Sequence, residues 1–170
     1  MDDQQRLAQL FEQYSPLVLR RARRLLGNTS DADEVLQDVF VRAMKREPET
    51  AGGDDLVGWF YRVTTNLCLN RIRNAKRRRE LYHAHLSPRT RREQADDAAS
   101  DVELTIRWLL AHAEERQARC AAYAFLDELT HDEIAHVMGI SKRSVSNLLD
   151  RFKAWARHEL EREVGAEATG

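Results

Sequence analysis

Apolar positions recur along this chain every three to four residues, which is the pattern of amphipathic helices rather than of strands. Ser15 followed by Pro16 is typical of an N-cap and a first helical position, so we expect the first helix to kink or restart there. Gly27 is placed to act as its C-cap. The apolar face of this stretch comprises Leu7, Leu10, Phe11, Tyr14, Leu17, Val18, Ala22 and Leu25. The opposite face carries Arg20, Arg21, Arg23 and Arg24.

A second helix is predicted to begin at Ser30, whose hydroxyl can cap it, and to end by Pro48. Its inward positions are apolar, namely Val35, Leu36, Val39, Phe40 and Ala43. Its first turns are acidic, where the helix dipole favours carboxylates. These acids are Asp31, Asp33, Glu34 and Asp38.

One long helix is predicted from Asp54 to Arg79, with an apolar first half and a basic second half. The apolar positions are Leu56, Trp59, Phe60, Val63 and Leu67, and the basic ones are Arg71, Arg73, Lys76, Arg77, Arg78 and Arg79. Unpaired guanidinium groups are too costly to desolvate, so the basic half should be exposed. With aromatic residues and Asn66 between the two halves, the helix suits a polyanion with reachable bases. A solvated basic helix end is the alternative.

Periodicity fades after Glu80, and residues 81–100 combine mixed charge, Ser87-Pro88 and few apolar residues, as in an interdomain linker. Order resumes at Ser100 and Glu103, which form a capping box. We therefore expect an all-α protein of two small helical domains, 1–80 and 101–161. A flexible linker, 81–100, joins them, and a frayed tail, 162–170, follows.

The second domain contains the pattern of a helix-turn-helix between Thr130 and Trp155. Thr130 and Glu133 form another capping box, Gly139 takes the turn, and Ser141 caps the last helix. The outward positions of that helix can bond phosphates and base edges in a major groove. They are Lys142, Arg143, Ser144, Ser146, Asn147 and Arg151.

Composition narrows the function classes. The 170 residues carry a formal net charge of −1, yet Glu80 is the one acid between Tyr61 and Arg92, so charge is segregated between a basic and an acidic face.

Cys68 and Cys120 form no metal or disulfide pattern. No apolar run approaches transmembrane length, so we expect a cytoplasmic protein without membrane insertion. His83 and His85 lack a third ligand and no catalytic motif occurs, so we expect no metal, no cofactor and no enzyme activity.

Three segments together resemble the extracytoplasmic-function (ECF) sigma factors, the minimal class of the sigma-70 family of bacterial RNA polymerase subunits. Residues 31–40, DADEVLQDVF, are similar to the family's DAEDLxQExF helix. Residues 59–66, WFYRVTTN, are similar to WLYRIAxN. Residues 129–151 are similar to the family's helix-turn-helix. Leu148, Asp150 and Ala113-Glu114 depart from the family's usual residues.

The resemblance implies a role for each segment. The first domain corresponds to sigma region 2, which binds core polymerase at the β′ clamp helices through Asp31, Asp33, Glu34, Gln37, Asp38 and Phe40. It would melt and read the minus-ten element through Trp59, Tyr61, Arg62, Asn66, Arg71, Arg73, Lys76 and Arg77. The second domain corresponds to region 4, which reads the minus-thirty-five element through the outward positions of its helix-turn-helix and contacts the β flap. An anti-sigma factor is the further partner implied.

We therefore interpret the chain as a sigma factor that directs transcription initiation at specific promoters of a stress- or signal-responsive regulon. Two other classes remain open at this point. A stand-alone helix-turn-helix regulator would bind duplex DNA without polymerase, usually as a symmetric dimer. A nucleic-acid enzyme would need a cluster of metal ligands.

Overall fold

A computed structural model describes residues 3–45, 53–83 and 100–167. Within these ranges every regular element is helical, as the sequence predicts. The elements are α1 (Asp3–Leu26), α2 (Thr29–Met44), α3 (Gly53–His83), α4 (Asp101–His112), α5 (Glu115–Ala121), a π-helical turn (Ala122–Leu126), α6 (His131–Met138) and α7 (Lys142–Glu167). The chain divides into two compact units, Met1–Arg107 and Trp108–Gly170.

An aromatic cluster forms the centre of the first unit, where α1, α2 and α3 pack together. The Phe60 ring stacks on Tyr14 at a centroid distance of 4.4 Å and lies 5.5 Å from Phe40. Val18 and Val35 beside it are fully buried. Aromatic rings in such contacts contribute more than their buried area alone, so this cluster fixes where α3 crosses the other two helices.

Two cap predictions for the first unit are wrong. Ser15 is not an N-cap, because helix α1 continues through Pro16 instead of restarting there; Tyr14 and Val18 on either side are buried, while Pro16 itself is exposed. The alternative, a kink at Pro16, stays a prediction. The cap of α2 is Asn28 rather than Ser30: its side-chain oxygen accepts a hydrogen bond from the backbone N–H of Asp31 at 2.7 Å. The Gly27 prediction holds, with φ of 77° and its N–H donated to the Arg23 carbonyl.

Two helices are longer than predicted. Helix α3 runs to His83, beyond the loss of periodicity after Glu80, and α7 runs to Glu167 through the segment predicted to fray. Toward both helix ends the side chains become mostly exposed, from Arg77 to Leu81 in α3 and from Arg157 to Arg162 in α7. Good helix formers continue a helix without tertiary contacts once its earlier turns are anchored. Most of the predicted linker, from residue 84 to residue 99, lies outside the described residues, as does Pro48.

The second unit is built around the helix-turn-helix. Tyr123 of the π-helical turn, Ile134 of α6 and Val145 of α7 are all buried. Gly139 ends α6 in the left-handed conformation, with φ of 65°, and Thr130 and Glu133 form the predicted capping box. The π-helical turn was not foreseen. None of the helices within the described residues combines the length and apolarity that crossing a membrane requires.

Candidate functional site

The acidic face of α2, which we define as Asp31, Glu34 and Asp38, is bound by one arginine of α3. Arg71 donates a 2.7 Å hydrogen bond from Nη1 to Glu34 and a 3.3 Å bond from Nη2 to Asp38. Its Nη1 also lies 3.7 Å from Asp31. A spacing of three and then four residues puts the three carboxylates on one side of α2, where a single guanidinium reaches all of them.

The carboxylates remain accessible on their outer side. Their side chains are 47%, 57% and 52% exposed, in chain order, whereas the Arg71 side chain is 29% exposed. Partial burial by itself lowers the pKa of Arg71, but the hydrogen bonds to Glu34 and Asp38, together with the negative charges of these two residues, outweigh it and the pKa is raised. Arg71 is therefore a fixed cation beneath an acidic surface.

The other predicted polymerase-binding residues divide into two groups. Asp33 and Gln37 are exposed on α2. Phe40 is 6% exposed and packs between Phe11, at 4.8 Å, and Phe60. Its ring supports the helix from inside the bundle.

On α3 the predicted base-reading residues are only partly exposed. Trp59 is half-buried, with its ring edge-on to Phe60 at 5.0 Å. Tyr61 and Asn66 are also half-buried. Aromatic and amide groups at such a boundary are rigidly held and still offer one edge to a ligand.

A buried arginine that the sequence placed on the solvent face lies behind this surface. Arg21 is 5% exposed, donates two hydrogen bonds to Thr65 Oγ1 at 2.9 and 2.7 Å, and sits 4.7 Å from the Tyr61 ring centroid. Thr65 in turn donates to the Tyr61 carbonyl. The signal available in the sequence is the position of Arg21 directly before Ala22, at the margin of the buried stripe of α1.

The basic second half of α3 becomes more exposed toward its end. Arg62 and Arg73 are half-buried, Lys76 lies 3.7 Å from Glu80, and Arg77 is exposed. Arg78 and Arg79 continue the exposed run. Guanidinium groups in this arrangement suit a phosphate backbone, and contacts of that kind are strongly salt-dependent.

In the second unit the predicted reading helix is the first half of α7. Arg143, Asn147 and Arg151 are exposed at intervals of four residues and therefore share one face. Ser144 is held by the cap residue Ser141, whose hydroxyl accepts its N–H at 3.1 Å. The two serine hydroxyls also lie 2.9 Å apart, within hydrogen-bond distance.

Two residues of α6 that the sequence did not single out contact this reading helix. Asp132 pairs with Lys142 at 3.0 Å, and His131 Nδ1 lies 3.2 Å from the Ser146 hydroxyl. Both contacts are exposed, so solvent and a ligand can compete for them. They brace the N-terminus of α6 against the helix that would enter the groove.

The remaining candidate residues are the two cysteines and the possible metal ligands. Cys68 and Cys120 are free and buried, and burial raises the pKa of the two thiols to about 12 and about 11 respectively. Among residues 3–45, 53–83 and 100–167, no three His, Cys, Asp or Glu side chains are grouped so that they could hold a metal ion.

Both units match known family models. The model described as sigma-70 region 2 matches residues 10–78, which cover most of α1, all of α2 and most of α3. The model described as sigma-70, region 4 matches residues 109–151, which include α5, α6 and the first part of α7. The two matches follow the order in which the two units occur.

Relatives agree with these matches. The ECF RNA polymerase sigma factor SigW of Bacillus subtilis is 25% identical over 93% of this chain and 90% of its own length. SigG of Mycobacterium tuberculosis, also an ECF RNA polymerase sigma factor, is 24% identical over 84% of this chain but 45% of its own length. A solved structure of CnrH in complex with the cytosolic domain of CnrY has a TM-score of 0.53 at 19% identity, covering 94% of this chain and 90% of CnrH. This likeness supports the fold.

Proposed function

The chain belongs to the sigma-70 family as an ECF RNA polymerase sigma factor, and from that premise we propose how its surfaces divide the work of transcription initiation. The observation that carries the proposal is that both DNA-facing regions of the family occur in one chain, in order, each on its own helical unit. We assign residues 1–80 to region 2, 81–100 to a linker, 101–161 to region 4 and 162–170 to a tail.

Region 2 would bind core polymerase through the exposed surface of α2. Asp33 and Gln37 face outward, and the acidic face beside them keeps about half of each carboxylate accessible. A basic surface such as the one on the β′ clamp helices complements this charge, which speeds association and fixes orientation. Phe40 would contribute from within, by holding α2 against α1 and α3.

The same unit would bind the melted minus-ten element along α3. Trp59, Tyr61 and Asn66 present partly exposed aromatic and amide edges on which unpaired bases can stack and pair. The basic residues that follow would hold the phosphate backbone, namely Arg62, Arg73, Lys76 and Arg77.

Region 4 would read duplex DNA at the minus-thirty-five element with the first half of α7, and would contact the β flap. Arg143, Asn147 and Arg151 lie on one exposed face, and Lys142, Ser144 and Ser146 stand beside them at the helix start. The arrangement fits a recognition helix entering the major groove N-terminus first.

The remaining assignments follow from the family. The protein would act in the cytoplasm, where the polymerase acts. It would perform no catalysis of its own, because the polymerase forms the phosphodiester bonds. CnrH is solved with the cytosolic domain of CnrY, and we propose that this chain likewise has an anti-sigma partner that covers its polymerase-binding surfaces.

In vitro transcription tests the proposal. Purified protein added to core polymerase and genomic DNA should give discrete start sites that core polymerase alone does not give. Asp33→Lys, a reversal of an exposed charge on α2, should weaken polymerase binding, and Glu161→Lys on exposed α7 is the matched control. Sequence-specific binding to duplex DNA without polymerase, together with no transcription, would favour the stand-alone regulator instead.

A further inference from the structure

We propose that Arg71 is a positioning residue for polymerase binding: it fastens the acidic face of α2 to α3 and does not contact promoter phosphates. The inference rests on the proposed function, because it concerns how the polymerase-binding surface is held. The sequence alone groups Arg71 with the other arginines of α3. The proposal gives Arg71 a different role from theirs.

The first support for this role is the geometry of the Arg71 guanidinium. Its two terminal nitrogens bind different carboxylates, Nη1 the Glu34 oxygen at 2.7 Å and Nη2 the Asp38 oxygen at 3.3 Å. These acceptors stand one turn apart on α2, so the planar fork spans a helical turn. A lysine ammonium has the charge but no such fork, and it cannot reproduce this geometry.

The second support is the set of residues that surround Arg71. Cys68 and Leu69, just before Arg71 on α3, are 0% and 2% exposed and anchor this part of the helix in the bundle. The guanidinium therefore joins a fixed point of α3 to the outer surface of α2. Three carboxylates within 4 Å of one cation also make the local charge negative, which repels a phosphate.

The third support is the exposure of the three carboxylates. Arg71 covers their inner side, and roughly half of each side chain stays open to a partner. Holding three rotamer-rich acids in one orientation before binding reduces the ordering cost of association. Arg71 thus prepares the surface that a basic partner meets.

The experiment compares Arg71→Ala and Arg71→Lys with Arg77→Ala, an exposed arginine of the same helix. Core polymerase affinity is measured with each variant at a temperature where circular dichroism shows it fully folded. We expect Arg71→Ala to weaken binding about fivefold, the upper end for part-exposed charge pairs. Arg71→Lys should recover little of this loss, whereas Arg77→Ala should bind polymerase as the wild type does.

The salt dependence of promoter binding by the assembled holoenzyme supplies a readout that a general loss of stability does not move. Each lost phosphate contact lowers the slope of log K against log salt by about 0.7 to 0.9. We expect that decrease for Arg77→Ala and an unchanged slope for Arg71→Ala. A slope reduced by Arg71→Ala, or full recovery of polymerase affinity in Arg71→Lys, overturns the positioning role.

A third measurement covers the case in which Arg71→Ala does not fold. Glu34→Gln and Asp38→Asn each remove one of the carboxylate charges that bind Arg71 and keep the side-chain shape. The polymerase-binding assay and the salt-dependence measurement are therefore repeated with these two variants. Both should weaken polymerase binding and leave the slope unchanged; wild-type polymerase affinity in both variants contradicts the inference. Failure of the wild-type protein to bind core polymerase contradicts the proposed function itself, so the two failures are distinguishable.

Discussion

At the residue scale, side chains of the same type that the sequence groups together have different contacts in the structure. Arg21 was predicted to face solvent with its neighbours, yet it is buried against Thr65 and Tyr61. Arg71 was grouped with the phosphate-binding arginines, yet its guanidinium lies against α2. Periodicity identifies which face of a helix is apolar, but it does not identify which polar residue at the margin has a partner across the bundle.

The adjacent threonines of α3 provide a matched test of the Arg21 contact. Thr64 and Thr65 are both fully buried, but Thr65 Oγ1 binds Arg21 whereas Thr64 Oγ1 has no hydrogen-bond partner among the described residues. Thr65→Val should lower the free energy of unfolding by about 1–3 kcal/mol, because it strands a buried donor. Thr64→Val should be neutral or stabilising. Urea unfolding of both variants checks this, and equal losses would contradict it.

The buried thiol of Cys68 predicts a dependence of stability on alkaline pH. Burial raises its pKa from 9.0 to about 12, against smaller opposing effects of Arg21 and Arg71. The folded pKa lies above the unfolded one, so this contribution is fully present below pH 9 and is lost as the pH rises toward 12. At pH 10 the expected loss is on the order of 1 kcal/mol relative to Cys68→Ala. Urea titrations of both proteins at pH 7 and pH 10 measure it; parallel curves would exclude it.

At the element scale, the helix ends were predictable where the signal is local. Gly27 and Gly139 both adopt positive φ, and Thr130 and Ser141 cap the helices that they precede. Each of these features needs only a few neighbouring residues. The sequence did not decide between a kink and a restart at Pro16, and the π-helical turn was not foreseen, because a local window contains none of the side chains that pack against a helix from elsewhere in the chain.

The Thr130 capping box predicts how firmly the helix-turn-helix is held. Thr130→Ala should cost about 1 kcal/mol, because the hydroxyl accepts the Glu133 N–H and the Glu133 carboxylate accepts the Thr130 N–H. Thr130→Ser, which retains the hydroxyl, is the control. Thermal unfolding of the two variants gives the measurement, and a melting temperature that Ala and Ser lower equally would argue against the cap.

At the scale of the whole molecule, we propose that two separate units carry out two different steps of transcription initiation. The sequence predicted this division from two kinds of pattern, an aromatic helix with a basic end and a helix-turn-helix, and the family matches fall on the two units. It could not predict how the free units are arranged, since an interface between domains leaves no periodic signal. The proposed division itself can be tested with substitutions that affect one step each.

Asn66→Ala and Arg143→Ala should impair different steps, because Asn66 lies on the proposed strand-reading surface and Arg143 on the exposed face of α7. Asn66→Ala should slow promoter opening while duplex binding stays close to wild type. Arg143→Ala should weaken closed-complex binding by about 1–3 kcal/mol if it contacts a base. A promoter with a pre-melted minus-ten segment removes the opening step, so it should restore transcription with Asn66→Ala more than with Arg143→Ala. Equal rescue of both variants would mean that the two units do not act on separate steps.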